Sequence, residues 1–342
     1  MADSSAVIDG SWRIAAGKFR RFHGVSKWIY LKDPRIMLRN FRDFFYFIIG
    51  FMQSLWLLMW WRPNVLFVKG GYVGLPVGLA AAFLRIPIVT HDSDTVPGLT
   101  NRILSRYARF MAVAMPKEYY KYPKDRIRYT GLPIRSEFVP VTPKIQNQAR
   151  TYLGIPESAF VVAVFGGSLG AVRLNNAIVN ISESFLNEDT ERWLLHQAGG
   201  FQHEEVSQFY DSLPKSVRSR VKTWSFLEDM HIVTAAADVI VSRAGSSFHE
   251  LGAQQKAVIL VPNPVLTGGH QTINARVLAE HKAAIVLTER ELTDTKNTVL
   301  LKNLDELATK PNKRHTLGQA LGALVVPNAA AKIVSVLEEA AR

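Results

Sequence analysis

The feature that most constrains the fold is a repeated alternation, from residue 64 onward, of short apolar runs, glycine-rich turns and helical stretches. Most of the apolar runs are apolar on both faces, which is typical of strands buried in a parallel sheet. Alternating strands and helices predict a doubly wound α/β fold. The predicted strands are residues 64–69, 86–90, 110–114, 160–165, 192–196, 221–224, 239–242, 258–262 and 284–287.

One break in the alternation divides the chain. Residues 139–148 (VPVTPKIQNQ) hold two prolines and no clear hydrophobic period, so we predict an interdomain linker there. It separates a first domain, 1–138, from a second, 149–327. The last helix, 328–342, has one apolar face and could pack on either domain. Two similar α/β domains normally bind a ligand in the cleft between them, at the carboxyl ends of the strands.

The composition limits the partners. The net charge of +12 indicates an anionic partner, and the absence of cysteine excludes disulfides and thiolate metal sites. No basic groove interleaved with aromatic residues accompanies the charge, so we expect no nucleic-acid partner. The first ten residues are polar and hold two aspartates, which is not typical of a signal peptide.

The first fifth of the chain combines charge with apolarity. Residues 1–70 carry +7 of the net charge, and residues 44–61 (FFYFIIGFMQSLWLLMWW) carry none. Three interpretations stay open for this run: a membrane span, a buried core helix, or a helix that packs inward on one face and rests on lipid with the other. We favour the third, because tryptophan anchors interfacial helices and each basic group near an anionic membrane contributes about 1 kcal/mol. The basic residues upstream are Lys18, Arg20, Arg21, Lys27, Lys32, Arg35, Arg39 and Arg42.

Three glycine turns of the second domain lie between a strand and a helix. Residues 166–171 (GGSLGA) expose backbone N–H groups at a helix start, which suits a phosphate. Neither a GxxxxGK[ST] nor a GxGxxG pattern occurs, which argues against a P-loop nucleotidase and a nicotinamide enzyme. Glu250, after the turn SRAG, either stabilises a helix dipole or accepts hydrogen bonds from a ribose diol. Gln271, after a third turn, can bond sugar hydroxyls through both its donor and its acceptor.

The first domain holds one dense cluster of titratable side chains, His91, Asp92 and Asp94. A carboxylate or imidazole there could take a proton from an acceptor hydroxyl. The alternative is an Asx turn with a helix cap at Asp94 or Thr95. Arg135, at the end of the domain, either clamps a diphosphate or covers the linker.

Seven segments together resemble one family. They are GGYVGLPVGLAA, HDSDTVPGLTN, GLPIR, GGSLGA with LNN, FLEDM, SRAG with its later glutamate, and HQTINA. Their order and spacing resemble the MurG family of peptidoglycan N-acetylglucosaminyltransferases, from about Arg13 to the C-terminus. The resemblance implies a GT-B fold of two Rossmann-like domains, with the final helix crossing back to the first. It implies inverting transfer of N-acetylglucosamine from UDP-GlcNAc to the 4-hydroxyl of undecaprenyl-diphosphate-linked MurNAc-pentapeptide, forming lipid II as a peripheral protein at the cytoplasmic membrane face.

The resemblance also assigns roles to particular residues. Asp92 and His91, from the cluster described above, are the candidate catalytic residues, and Asp92 stands where the family usually has Glu. Asp94 stands where a donor-contacting Asn is usual, and a carboxylate near a diphosphate is unfavourable unless it is screened or protonated. No obligatory metal is implied, since no DxD-like pair occurs in the donor domain, although a divalent cation such as Mg²⁺ is compatible. The implied donor contacts are Arg135 and Ser168 on the diphosphate, Leu227 on uracil, Ser246 and Ser247 along the nucleotide, Glu250 on the ribose and Gln271 on the sugar.

The N-terminus departs from the family pattern. The family begins with a strand and a GGTGGH loop, whereas this chain begins MADSSAVIDGSWRIAAG. One strand–helix–strand unit is therefore missing relative to the pattern, so the first domain is expected to be N-terminally truncated. A late start site, a separate N-terminal fragment and a diverged protein all stay open as explanations. The functional alternatives are another GT-B UDP-sugar enzyme with a lipid acceptor, or a catalytically impaired UDP-sugar-binding protein that needs an N-terminal partner.

Overall fold

The chain folds into two α/β units in a computed structural model. Unit 1 consists of Met1–Gly131 and Asn328–Arg342, and unit 2 consists of Leu132–Pro327. The described residues are 9–18, 34–167, 170–265, 269–292 and 298–342.

Unit 1 is built on a four-stranded parallel sheet in which each strand pairs with the next along the chain. The first three strands fall where the alternating pattern predicts them. The fourth was not predicted, because it is three residues long and its middle residue, Arg128, is charged. The guanidinium of Arg128 lies 4.0 Å from the ring centre of Phe110 on the neighbouring strand. The strands are β1 Leu66–Val68, β2 Ile88–Asp92, β3 Phe110–Val113 and β4 Ile127–Tyr129.

Helices cover both faces of this sheet. On one face, an apolar cluster joins Leu58, Ala80 and Leu104 to Ile88 and Met111 of the strands. On the other, the final helix packs Val336 and Ala340 against β2 and β3. The helix therefore lies in the unit built from the first part of the chain. Among the described residues of unit 1, the helices are α1 Pro34–Trp61, α2 Gly74–Phe83, α3 Leu99–Leu104, a short 3-10 helix Lys117–Tyr119, and the final helix Ala329–Ala341 (α13).

A line of buried residues along α1 forms the seam through which this helix packs inward. Asp43, Gly50, Ser54 and Leu58 recur at helical spacing and are buried. A Cβ at Gly50 would overlap the carbonyl oxygen of Ala15, so only glycine permits this close approach of residues 9–18. Gln53 accepts a hydrogen bond from the Ala15 N–H at 2.9 Å. The seam fixes which face of α1 points inward.

Unit 2 contains a six-stranded parallel sheet with the order β10-β9-β8-β5-β6-β7. This is the doubly wound pattern, in which successive strands are added first to one side of β5 and then, from β8 onward, to the other. The alternation of apolar runs predicts all six of these strands, three with the same ends and three with ends that differ by one or two residues. They are β5 Phe160–Phe165, β6 Arg192–Gln197, β7 Val221–Trp224, β8 Val239–Ser242, β9 Ala257–Leu260 and β10 Ile285–Val286.

The predicted linker 139–148 is corrected by the structure, because its second half is helical. Thr142 caps this helix by accepting a hydrogen bond from the Ile145 N–H at 3.3 Å, and a proline occupies the first turn, where it favours helix initiation. The helices that the structure describes in unit 2 are α4 Pro143–Leu153, α5 Val172–Glu188, α6 His203–Ser212, α7 Lys215–Arg218, α8 Met230–Ala236, α9 Phe248–Ala253, α10 His270–Glu280, α11 Thr298–Thr309 and α12 Pro311–Ala323.

Candidate functional site

The carboxyl edge of the unit 2 sheet places two of the predicted turns side by side. Phe165, the last residue of β5, pairs with Ser242, the last residue of β8. The chain leaves these two strands toward α5 and α9, on either side of the point where the strand order reverses. In doubly wound sheets, ligands bind in the crevice at this point. The strand pairing therefore places the start of the turn after β5 next to the start of the turn after β8.

The first turn depends on glycine. Gly170 has φ +81°, and a Cβ on it would overlap the carbonyl oxygen of Ala198. Its N–H donates to the Gly167 carbonyl at 2.9 Å, which closes the turn just before α5 begins. The first N–H groups of that long helix have no partner within the helix, and they suit an anion. Ser168, a predicted diphosphate contact, lies outside the described residues.

The second turn exposes small polar side chains. Ser246 is exposed and Ser247 is half-buried. Ser247 occupies the N-cap position of α9 without a side-chain capping bond, so its hydroxyl is not used to start the helix. The side-chain amide of Asn274, on α10, donates to the carbonyl of Ala244 at 3.1 Å and holds this turn in place.

Arg135 joins three of the sequence motifs within unit 2. Its Nε lies 3.9 Å from Oε1 of Glu250, and its guanidinium donates to the carbonyl of Glu228 at 3.1 Å. Leu227, the predicted uracil contact, precedes Glu228 and is half-buried. Burial raises the pKa of Glu250, and the nearby Arg135 lowers it in part. A half-buried carboxylate beside an arginine can accept hydrogen bonds from a ligand's hydroxyl groups.

Gln271 lies next to the second turn. Its Oε1 accepts a hydrogen bond from the Asn263 N–H at 2.9 Å. A Cβ at Gly245 would lie 3.8 Å from its Nε2, so the amide nitrogen faces that turn. The amide nitrogen is therefore the atom best placed to donate to a sugar hydroxyl, whereas the residue type alone predicts that both amide atoms take part.

In unit 1, Asp92 lies at the carboxyl end of β2 and is 4% exposed. Its two oxygens accept hydrogen bonds from Nδ2 of Asn101 at 2.8 Å and from the hydroxyl of Tyr122 at 2.9 Å. Burial raises the pKa of Asp92 to about 6, while these two donors oppose the rise and the charge of Asp94 adds to it. A carboxylate with a pKa near neutrality is suited to general base catalysis.

The other two members of the predicted cluster differ in environment. His91 is fully buried, and its Nε2 lies 2.9 Å from the carbonyl of Gly131. Burial lowers its pKa, so the imidazole is neutral and donates to that carbonyl. Its observed contact is a bridge between β2 and the end of unit 1. Asp94 is half-buried, and its backbone carbonyl accepts a hydrogen bond from Tyr120 at 3.0 Å. Catalysis by His91 and donor contact by Asp94 stay predictions.

The structure adds residues that the sequence did not single out. Tyr122 lies in a loop with no motif, 30 positions from the aspartate that it contacts. Glu289 forms ion pairs with Arg173 and Arg243, both at 2.7 Å. Charge spacing carried no signal for these contacts, because each joins distant parts of the chain. Across the described ranges, no group of three or more His, Asp or Glu is arranged to hold a metal ion.

Family models match both halves of the chain. The glycosyltransferase family 28 C-terminal domain matches residues 161–333, and the N-terminal domain of the same family matches residues 21–113. A six-stranded doubly wound sheet with two turns at its switch point, together with these matches, defines a GT-B-like glycosyltransferase. The prediction of two parallel-sheet α/β domains is confirmed.

The chain belongs to the MurG family of UDP-N-acetylglucosamine–N-acetylmuramyl-(pentapeptide) pyrophosphoryl-undecaprenol N-acetylglucosamine transferases. The Bacillus pumilus relative is 33% identical over 306 residues, covering 89% of this chain and 81% of the relative. The Desulforudis audaxviator relative is 37% identical over 296 residues, covering 85% and 78%. The resemblance of the seven sequence segments to this family is thus confirmed.

Solved structures agree. The crystal structure of Acinetobacter baumannii MurG matches with a TM-score of 0.67 and 25% identity, covering 86% of this chain and 79% of that one. A UDP-GlcNAc 2-epimerase from Neisseria meningitidis, bound to UDP-GlcNAc, matches with a TM-score of 0.60 and 13% identity over 86% of this chain and 81% of that one. At that identity the epimerase shows the shared fold alone.

Proposed function

We propose that this protein transfers N-acetylglucosamine from UDP-GlcNAc to the 4-hydroxyl of undecaprenyl-diphosphate-linked MurNAc-pentapeptide, which converts lipid I into lipid II in peptidoglycan synthesis. Membership of the MurG family is the observation that carries this function. The acceptor oxygen attacks C1 of the sugar with inversion, the bond from C1 to the diphosphate oxygen breaks, and UDP leaves. The acceptor proton passes to a base of the protein.

The arrangement in unit 2 supports donor binding. The N-terminus of α5 and its glycine turn offer N–H groups to the diphosphate, and Arg135 adds a positive charge. Glu250 is assigned to the ribose hydroxyls because its carboxylate lies beside Arg135 in the helix that follows the second turn, and Gln271 is assigned to the sugar because its amide nitrogen faces that turn. Preorganised donors of this kind stabilise the charge that develops on the leaving UDP. No resident metal is required by this scheme, and a divalent cation such as Mg²⁺ is compatible with it.

Asp92 is the base that unit 1 supports best. Its pKa of about 6 leaves it ionised at neutral pH and able to accept a proton without a large energetic penalty. Asn101 and Tyr122 fix the orientation of its carboxylate. The neutral imidazole of His91 has its Nε2 proton committed to Gly131.

The test is UDP release from UDP-GlcNAc with a lipid I analogue, alongside UDP binding measured by calorimetry. We expect turnover that depends on the analogue. Tight UDP-GlcNAc binding without turnover would favour the alternative of a catalytically impaired binding protein. Turnover with a different lipid-linked sugar acceptor, and none with the lipid I analogue, would favour another GT-B enzyme. The separate N-terminal fragment stays a prediction.

We further infer that α1 docks unit 1 on an anionic membrane surface, at the cytoplasmic face where a lipid-linked substrate would be met. Within the described residues, this is the helix that is long and apolar enough to cross a bilayer. Its outward face exposes Trp56 and Trp60, whose rings stack 6.5 Å apart, and Trp60 is 71% exposed. The other exposed large apolar side chains of α1 are Met37, Leu38, Phe41, Phe44, Phe45, Tyr46, Ile48, Ile49, Met52, Met59 and Trp61.

The packing of α1 favours a position on the membrane over a span across it. Its inward face, with Phe51, Leu55 and Leu58, belongs to the apolar cluster of the unit 1 sheet. A spanning helix would have to leave that cluster and surround itself with lipid. Arg39 and Arg42 lie exposed near the start of α1, where they can meet anionic headgroups. One face therefore packs on protein while the other is left for lipid. The basic residues of the sequence analysis that lie outside the described residues are Arg20, Arg21, Lys27 and Lys32.

Vesicle sedimentation tests the docking. Trp56→Ser with Trp60→Ser should reduce binding to phosphatidylglycerol-containing vesicles at least about tenfold, because each indole is a major interfacial anchor. The matched control is Phe83→Ser, since Phe83 is an exposed aromatic residue of unit 1 outside α1. Equal binding by the double variant, the control and the wild type would contradict the docking.

A further inference from the structure

Glu289 lies where it can connect the two turns of the candidate donor site. Val286, Leu260, Ser242 and Phe165 pair in one row across the carboxyl edge of the unit 2 sheet. Glu289 follows the end of β10, at one end of this row. Its carboxylate contacts Arg243, which follows β8, and Arg173, in the first turn of the helix that follows β5. A single side chain thus joins three separate crossings of the chain.

Both oxygens of Glu289 are engaged by arginines. Oε1 accepts from Arg243, the first residue after β8, and Oε2 accepts from Arg173, in the first turn of α5, each at 2.7 Å. Arg243 also donates to the carbonyl of Val261, which ties it to the end of β9. Glu289 is 7% exposed, so these bonds form in a partly dehydrated setting in which charged hydrogen bonds are strong.

The position of Arg173 at the start of α5 also points to an anionic ligand. A positive charge in the first turn of a helix opposes the helix dipole, and it is favourable only when an anion lies near. The Cα–Cβ bonds of a helix tilt toward its N-terminus, so residues of the first turn lie beside the loop that precedes the helix. Arg173 is 63% exposed, and its bond to Glu289 uses one of its five N–H donors. Two arginines around one carboxylate leave a net positive charge at this edge.

We propose that Glu289 is a positioning residue that holds Arg173 and Arg243 so that Arg173 contacts the diphosphate of a bound nucleoside diphosphate sugar. This inference rests on the proposed function, since it concerns the same donor site. Through Arg243, Glu289 fixes the turn after β8. Through Arg173, it fixes a donor beside the turn after β5. Loss of the carboxylate would free both arginines and weaken the grip on the diphosphate.

The experiment measures UDP binding by calorimetry, together with KM for UDP-GlcNAc, kcat and thermal stability. Glu289→Gln should raise the dissociation constant of UDP and the KM for UDP-GlcNAc about tenfold, the usual size of a lost charged hydrogen bond. The KM for the acceptor should not change. Arg173→Gln, at an exposed position where folding is not at risk, should weaken UDP binding to a similar degree. The two effects should not add in the double variant, because they remove one interaction.

Asp305→Asn provides the matched control. Asp305 pairs with the buried Arg192 at 2.6 Å, and Arg192 begins β6 at the opposite, amino edge of the same sheet. This variant should lower thermal stability and leave UDP binding unchanged. The inference is overturned if Glu289→Gln and Arg173→Gln bind UDP as the wild type does, or if Asp305→Asn weakens UDP binding equally. Absence of UDP binding by the wild type would instead overturn the proposed function, and this inference with it.

Discussion

Replacing Asp92 by asparagine should separate its cost to folding from its use in catalysis. The pKa of Asp92 is about 6 against an ordinary value of 3.8. Each tenfold change in proton affinity is worth about 1.4 kcal/mol, so the buried charge costs about 3 kcal/mol at pH 8. The asparagine side chain would carry no charge, and it can still bond the amide of Asn101 and the hydroxyl of Tyr122.

The sign follows from linkage. Because the folded-state pKa is raised, this group stabilises the fold most below pH 3.8 and loses that contribution as pH rises through 6. At pH 4 the cost of the charge has fallen to about 0.5 kcal/mol. Allowing about 1 kcal/mol for imperfect hydrogen bonds in the variant, Asp92→Asn should be more stable than the wild type by about 2 kcal/mol at pH 8 and not at pH 4.

Catalysis should respond in the opposite direction. Removal of a general base lowers kcat by about 10²- to 10⁴-fold, and the rise of kcat/KM through about pH 6 should disappear. Tyr122→Phe, which removes one donor to the carboxylate, should move that rise to a higher pH by about one unit. The assays are initial rates with a lipid I analogue from pH 5 to 9 and thermal unfolding at pH 4 and 8. A kcat for Asp92→Asn within threefold of the wild type would refute the assignment of Asp92 as the base.

Three further predictions concern unit 2. Glu250→Ala should weaken UDP binding about tenfold by loss of charged hydrogen bonds to the ribose, and unchanged calorimetric binding would contradict that assignment. Gln271→Ala should raise the KM for UDP-GlcNAc several-fold while the dissociation constant of UDP stays the same, since the amide is assigned to the sugar; an equal loss of affinity for both would instead indicate that the loop at Asn263 has moved. Gly170→Ala should destabilise the fold by more than about 2 kcal/mol and abolish UDP binding, because its Cβ would meet the Ala198 carbonyl. Gly167→Ala, with φ +87° and open space, is the control and should cost only about 1 kcal/mol in denaturant unfolding.

Local patterns in the sequence predicted the elements that local rules govern. Of the ten strands in the part of the chain that the structure describes, nine follow from apolar runs, and the exception, β4, is short and carries Arg128 at its centre. The Thr-Pro step at residues 142–143 was interpreted as part of a linker, although the same pair is a helix start. A proline marks a boundary, and the surrounding fold determines which side of it is helical.

Some residues of the candidate site could be found from the sequence, and others could not. Its glycine turns, Glu250 and Gln271 could be found from sequence, because each follows a predicted strand at short range. The partners of the buried groups could not. Burial raises the pKa of Asp92, and the hydroxyl of Tyr122, 30 positions away, opposes that rise. Glu289 pairs with Arg173 across 116 positions.

The sequence by itself determined the α/β class, the position of the phosphate-type turns, the apolar character of α1 and the family. Only the tertiary structure decided which strands are neighbours, which face of α1 packs inward, and which side chains surround each charge. The physical reason is the separation along the chain over which each kind of interaction acts. Hydrophobic period and turn chemistry act over a few residues along the chain, whereas burial and charge pairing depend on parallel strands whose crossover connections bring distant residues to one edge of a sheet.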